Sequence, residues 1–255
     1  MGLSTGMQRL GIIAGNTRPV RERLYPPDHT LHESPAMTAL TLTYFYDPLC
    51  GWCYASAPAL AEVAQRDDVD LRMMPSGLFA DANARPVASM AQHAWTNDMR
   101  IAQMTGQEFT TVYRDRVLRK PDGRFDSGHA TRAIVLAGNG DARVEAALLH
   151  RLQIARYVEG RDTSTLSEVL AITRDALTAL GRSSTGIDPL HQGDAELHRR
   201  AEDRVAASEC EMAALGISGV PQMVATQGDT RHLIPSAALY GGASAIGQAL
   251  AELAG

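Results

Sequence analysis

The segment Tyr44-Phe-Tyr-Asp-Pro-Leu-Cys-Gly-Trp-Cys-Tyr54 decides how the chain is read. Residues 39–46, which run into it, are short-range apolar, β-branched and aromatic, the mark of a buried strand. Asp47-Pro48-Leu49 breaks that strand, because Pro48 has no amide hydrogen to give a sheet and Asp47 suits a turn. Cys50 and Cys53 follow, and then an Ala-rich helical stretch over 54–65 in which Pro58 should produce a kink. A cysteine at the junction of strand and helix meets free amides and the positive end of the helix dipole, which favour a thiolate. Cys53 stands one turn on, within reach of a mixed disulfide carried by Cys50. The pattern predicts thiol–disulfide exchange, with Cys50 attacking and Cys53 resolving. Trp52, between them, reads as a partly exposed lid beside the sulfur, in reach of substrate.

Outward from this segment, residues 69–74 form a second short strand, closed by Pro75-Ser76-Gly77, so that 39–74 make a βαβ unit. From 81 to 215 the pattern is all helical. Pro86 opens one helix and Gly106 ends it; Asp126 and Ser127 cap another that stops at Gly138; Val144, Leu148, Leu152 and Ala155 mark a third. Thr165-Leu-Ser-Glu168 reads as a capping box, and Leu197, Ala201, Val205, Ser208, Met212 and Leu215 share one stripe of the last helix. Strand signals return after Gly216: a strand within 217–225, a turn at Gly228-Asp229, a partner strand over 231–235 and a closing helix over 242–253. The order predicts an α/β sheet domain from 37–80 and 216–255, split by a helical insertion at 81–215. Residues 1–36 hold Pro26-Pro27 and no sustained period. They read either as a disordered leader or as sequence ahead of a natural start at Met37.

Composition excludes several classes. The 255 residues carry 24 basic against 29 acidic side chains, a net charge of −5, which gives no footprint for nucleic acid. No apolar stretch reaches the roughly 18–20 residues of a membrane span, and the start lacks a long apolar run with a small-residue cleavage site. The expectation is a cytoplasmic protein with neither nucleic acid nor membrane as partner. Three cysteines are too few for a disulfide-stapled scaffold. Cys210, among Ala206, Ala213 and Ala214, reads as packed in a helix interface. A zinc site would need two more ligands with their own spacing, and the eight histidines form no H-x₃₋₅-H pair. No metal and no tightly bound cofactor is therefore expected. For Asp47 the leading role is closing the turn; the alternative is to accept a proton from the resolving thiol.

The segment from Tyr44 to Tyr54 resembles the active-site segment of the DsbA family of thioredoxin-fold proteins, and above all its cytoplasmic, FrnE-like branch of predicted protein-disulfide isomerases. Gly77-Leu-Phe79, Arg100-Ile-Ala-Gln-Met-Thr-Gly-Gln107 and Phe125-Asp-Ser127 are similar to that branch too, and the likeness runs from about residue 38 to the C-terminus. It implies a thioredoxin fold with an inserted all-helical domain, catalytic Cys50 and Cys53, and a cis bond at Val220-Pro221 facing them. Val220 and Pro221 would then bind an extended peptide as one added strand. The sequence departs from DsbA proper in having Gly-Trp where that protein has Pro-His, which implies a less oxidising pair. In a reducing cytosol the resemblance implies reductase or isomerase work on disulfide-containing proteins or small thiols, with glutathione as redox partner. The alternative is a glutathione-dependent isomerase or transferase of the kappa or hydroxychromene-carboxylate isomerase type, which shares the architecture but carries Ser where Cys50 stands. A non-enzymatic binding module that uses the groove between sheet and insertion is the third reading.

Overall fold

The computed structural model describes residues 40–253; the leader expected over 1–36 lies outside the described residues. β1 (Leu40–Tyr46) is buried continuously from Leu42 onward, so its Leu-Thr-Tyr-Phe-Tyr run does not alternate. A central strand covered on both faces has this pattern. The Asp47-Pro48 turn leads to α1 (Gly51–Ala55), with Cys50 in extended conformation just ahead of it. The kink expected at Pro58 is a break at Ser56, after which α2 (Ala57–Gln65) starts with Pro58 in its first turn. A missing amide hydrogen is harmless there. β2 (Val69–Pro75) follows.

The middle of the chain is not all helical. β3 (Arg85–Pro86) and β4 (Arg124–Phe125) pair as a two-residue antiparallel ribbon. This ribbon takes Pro86 out of the helix, so that α3 (Val87–Thr105) begins one residue later and ends at Gly106 with φ +75°. The short α4 (Thr111–Tyr113) precedes a π-helical turn at Arg114–Leu118. α5 (Gly128–Gly138), α6 (Ala142–Tyr157), α7 (Leu166–Ala179), α8 (Asp188–Gln192) and α9 (Ala195–Ala214) complete the insertion. The capping box at Thr165 does not form: the Thr165 hydroxyl donates to the Asp162 carbonyl at 2.9 Å, and Glu168 is held by Arg161 at 2.6 Å. Ser127 likewise caps nothing, for its hydroxyl is spent on Asp47.

The chain returns to the sheet with β5 (Gln222–Gln227) and β6 (Thr230–Leu233), then α10 (Ser236–Tyr240) and α11 (Ala243–Leu253). The strand order is β2-β1-β5-β6, with β2 parallel to β1 and the other pairs antiparallel. Tyr44 of β1 stands between Met73 and Met223. One core joins the sheet residues Leu42 and Tyr44 to α2, α11 and the helices around Leu148 and Ile172. A second lies under the dithiol turn, where Leu49 and Tyr54 meet Ile101, Phe109, Tyr113 and Tyr157. α9 is tied to β2 by Arg204, which donates to the Met73 carbonyl and grips the buried Glu145 carboxylate at 2.7 and 2.9 Å. Among the described residues no helix is long and apolar enough to cross a membrane.

Candidate active site

The turn between β1 and α1 is built on one buried carboxylate. Asp47 Oδ1 accepts the Leu49 amide at 2.9 Å; Oδ2 accepts the Phe79 amide at 3.1 Å and the Ser127 hydroxyl at 2.9 Å. Burial pushes the Asp47 carboxyl above its usual range, and these three donors pull it back. The Cys50 amide donates to the Asp47 carbonyl at 3.1 Å, and the Tyr157 hydroxyl donates to the Leu49 carbonyl at 2.7 Å. The turn is thus fixed from α6 as well as from its own backbone.

The two sulfurs have different surroundings. Cys50 keeps 8% of its surface and Cys53 keeps none. Burial pushes the Cys53 thiol well up, and the Cys50 sulfur beside it adds to the effect. Beneath Cys53 the Tyr44 and Ser56 hydroxyls meet at 2.6 Å, and Ser56 donates to the Cys53 carbonyl at 3.0 Å. The Val220-Pro221 bond is cis, and Cys50 Sγ donates to the Val220 carbonyl at 3.5 Å across 170 residues of sequence.

Residues 41–244 match the family described as DSBA-like thioredoxin domain. The chain belongs to that family. Among solved structures it is similar to the cytosolic disulfide reductase DsbM from Pseudomonas aeruginosa, at 30% identity and a TM-score of 0.70, covering 84% of this chain and 99% of that one. The structure of that reductase with GSH matches at 31% and 0.69, covering 84% and 98%. A Nitrosomonas europaea protein, named provisionally as a protein disulfide isomerase, matches at 25% and 0.63, covering 84% and 96%. No curated protein is significantly similar in sequence. The mixed four-stranded sheet with its helical insertion is the DsbA-like thioredoxin fold, and Cys50 and Cys53 fit the CxxC motif of DsbA-like thiol–disulfide oxidoreductases.

In this DsbA-like site Trp52 is half-buried, and its ring lies 5.0 Å from that of Tyr240. Both line an open cleft of about 470 Å³ with Ile217, Val220, Pro221 and Leu233, and among the described residues no charged side chain lines it. Tyr240 gave no sequence signal, since it comes from a short helix near the C-terminus. Asp98 was equally silent: it is buried beside Gly51 from α3, just ahead of the Arg100–Gln107 stretch and with no pattern of its own. Cys210 is a correction. It is exposed, as are Ala206, Ala213 and Ala214, because it lies two residues beyond the buried Ser208, about 200° round the helix.

Proposed function

We propose that this chain is a cytoplasmic disulfide reductase or isomerase working through Cys50 and Cys53, with Val220, Pro221 and Trp52 as the substrate platform. The observation that carries the reading is the meeting of the Cys50 sulfur with the Val220 carbonyl, at 3.5 Å, beside a fully buried second thiol. The Cys50 thiolate attacks a substrate disulfide; a new S–S bond forms to Cys50, and the other substrate sulfur leaves as a thiolate. Cys53 loses its proton and attacks the Cys50 sulfur, which releases the second substrate thiolate and leaves a Cys50–Cys53 disulfide. Two electrons have then passed to the substrate. Two glutathione thiols restore the dithiol and become glutathione disulfide.

The relative named as a cytosolic reductase, and its structure with GSH, support both the compartment and the redox partner. A raised Cys53 thiol suits a resolving group that stays protonated until the mixed disulfide has formed. The uncharged cleft suits an extended peptide whose backbone, rather than its charges, is recognised. The sheet parts, 37–80 and 216–255, carry the dithiol and its platform, and the insertion at 81–215 supports the turn from behind. Retention of both cysteines favours this cycle over a glutathione-dependent isomerase or transferase. The test is kinetic. Cys50→Ser should abolish reduction of insulin and of mixed glutathione disulfides, and Cys53→Ala should accumulate a mixed disulfide on Cys50. Equal residual activity in the two variants would refute the roles assigned.

A further inference from the structure

The loop 217–220 stands between two clefts. On one side is the uncharged cleft of Trp52 and Tyr240. On the other is a cleft of about 360 Å³ walled by Leu78, which follows β2, by Arg85 of β3 and by Glu209 of α9. Ser218, Gly219 and Val220 line both. The two clefts therefore share the residue whose carbonyl meets Cys50 at 3.5 Å. Arg85 and Glu209 are exposed, and charged residues close to them in the chain are engaged: Glu211 with Arg72 at 3.6 Å, and Arg124 with the Ala84 carbonyl at 3.3 Å. Among the described residues Arg85 and Glu209 make no such bond, so the second cleft offers one free charge of each sign.

Gly219 forms the saddle between the clefts, and nothing in the fold requires a glycine there. Its φ lies outside the left-handed region, and a Cβ built on it would meet no atom within 4 Å. Gly77 differs on both counts, with φ +67° and a Cβ that would meet Val205 Cγ1 at 2.5 Å. What the missing side chain at 219 provides is room over the loop. Among the described residues the Ser218, Gly219 and Val220 amides donate to no acceptor. Three successive free donors beside an open path suit the backbone of an extended polypeptide. Each cleft also carries one exposed leucine, Leu78 at 39% and Leu233 at 56%, ready to take apolar atoms of a passing chain.

We infer that the cleft of Arg85 and Glu209 is a second subsite for polypeptide disulfides: the chain flanking the substrate cysteine crosses Gly219, with apolar residues on the Trp52 side and charged residues on the other. This rests on the disulfide-exchange reading. A cleft with one charge of each sign takes a flank of either sign, and reversing one of its charges makes it selective. Both charges are exposed, so a reversal changes affinity by about fivefold rather than by orders of magnitude.

The test measures binding of cysteine-free fluorescent peptides to the reduced whole chain by anisotropy. Each peptide has an apolar flank and a flank of aspartates or of lysines, made in both orders along the chain. Arg85→Glu should weaken the aspartate peptide about fivefold and tighten the lysine peptide; Glu209→Lys should do the reverse, and high salt should erase both shifts. Gly219→Leu should weaken both peptides about tenfold by filling the saddle. Its urea midpoint should stay at or above that of wild type, because the added side chain meets nothing and restricts the unfolded chain. Equal affinities for both peptides in both charge variants, or unaltered binding by Gly219→Leu, would overturn the inference. Charge variants that shift the binding of glutathione and leave both peptides unmoved would assign the cleft to a small thiol and overturn it as well. Failure of the wild-type chain to reduce the matching cysteine-bearing disulfides would sink the disulfide-exchange reading instead, while the peptide affinities would still decide the subsite.

Discussion

Replacing Asp47 by alanine should cost about 3–5 kcal/mol of stability, through the turn that presents Cys50. The carboxylate satisfies three donors: the Leu49 amide and Ser127 hydroxyl, both buried, and the Phe79 amide, which is part-buried. A buried donor left without an acceptor costs roughly 1–3 kcal/mol, and the Phe79 amide recovers part of its loss from water. Removing a carboxylate that burial already disfavours returns some of this, which sets the lower end of the range. Asp47→Asn keeps one oxygen but turns an amide donor toward an existing donor, so its cost is about 1–2 kcal/mol. Ser127→Ala removes the donor itself and leaves Asp47 its two backbone partners, for about 1 kcal/mol. Urea unfolding of the reduced protein at pH 7 measures all three. The reasoning is refuted if Asp47→Ala lies within about 0.5 kcal/mol of wild type, the range of an ordinary surface change, or if the order of the three is reversed.

Tyr157→Phe removes a 2.7 Å bond to the Leu49 carbonyl and should cost about 1 kcal/mol in the same assay. Glu145→Ala leaves Arg204 without its buried partner and should cost about 3–5 kcal/mol. Between pH 4 and 7 folded Asp98 holds a proton that the unfolded chain has already released, so stability falls as pH rises through that window, by at most about 4 kcal/mol. The stability advantage of wild type over Asp98→Asn, read from urea midpoints, should therefore be larger at pH 5 than at pH 8. Limited iodoacetamide at pH 7.5 should label the exposed Cys210 and then Cys50, and spare Cys53 until the protein unfolds; early labelling of Cys53 would contradict its burial.

The parts of this molecule that follow from near neighbours in the chain are legible in the sequence. The unalternating apolar run of β1, the break at Asp47-Pro48 and the cysteine spacing together identify a strand–turn–helix carrying a dithiol. What fails is local chemistry that a distant residue takes over. Thr165 and Glu168 have the spacing of a capping box, yet Asp162 and Arg161 compete for them. Ser127 looks like a helix cap and instead serves Asp47, 80 residues away. β3 and β4 are two residues each, too short to leave a period. Cys210 was misread because small neighbours suggest packing, whereas the helix face is set by what α9 lies against. Asp98 and Tyr240 carry no pattern at all. Only the folded chain brings them to the dithiol turn and to the cleft beside Trp52.

The Val220 carbonyl that meets Cys50 is separated from it by 170 residues of sequence. During synthesis the dithiol therefore leaves the ribosome long before Val220 and Pro221 exist to face it, by roughly 10–30 s at ~5–20 residues per second. Throughout that interval the nascent chain carries two adjacent thiols without their finished enclosure, open to capture by any passing oxidant or by a neighbouring polypeptide. A fold that draws its reactive centre from segments so far apart in the polypeptide thus leaves its two sulfurs at the mercy of the redox conditions around the ribosome until the chain is complete.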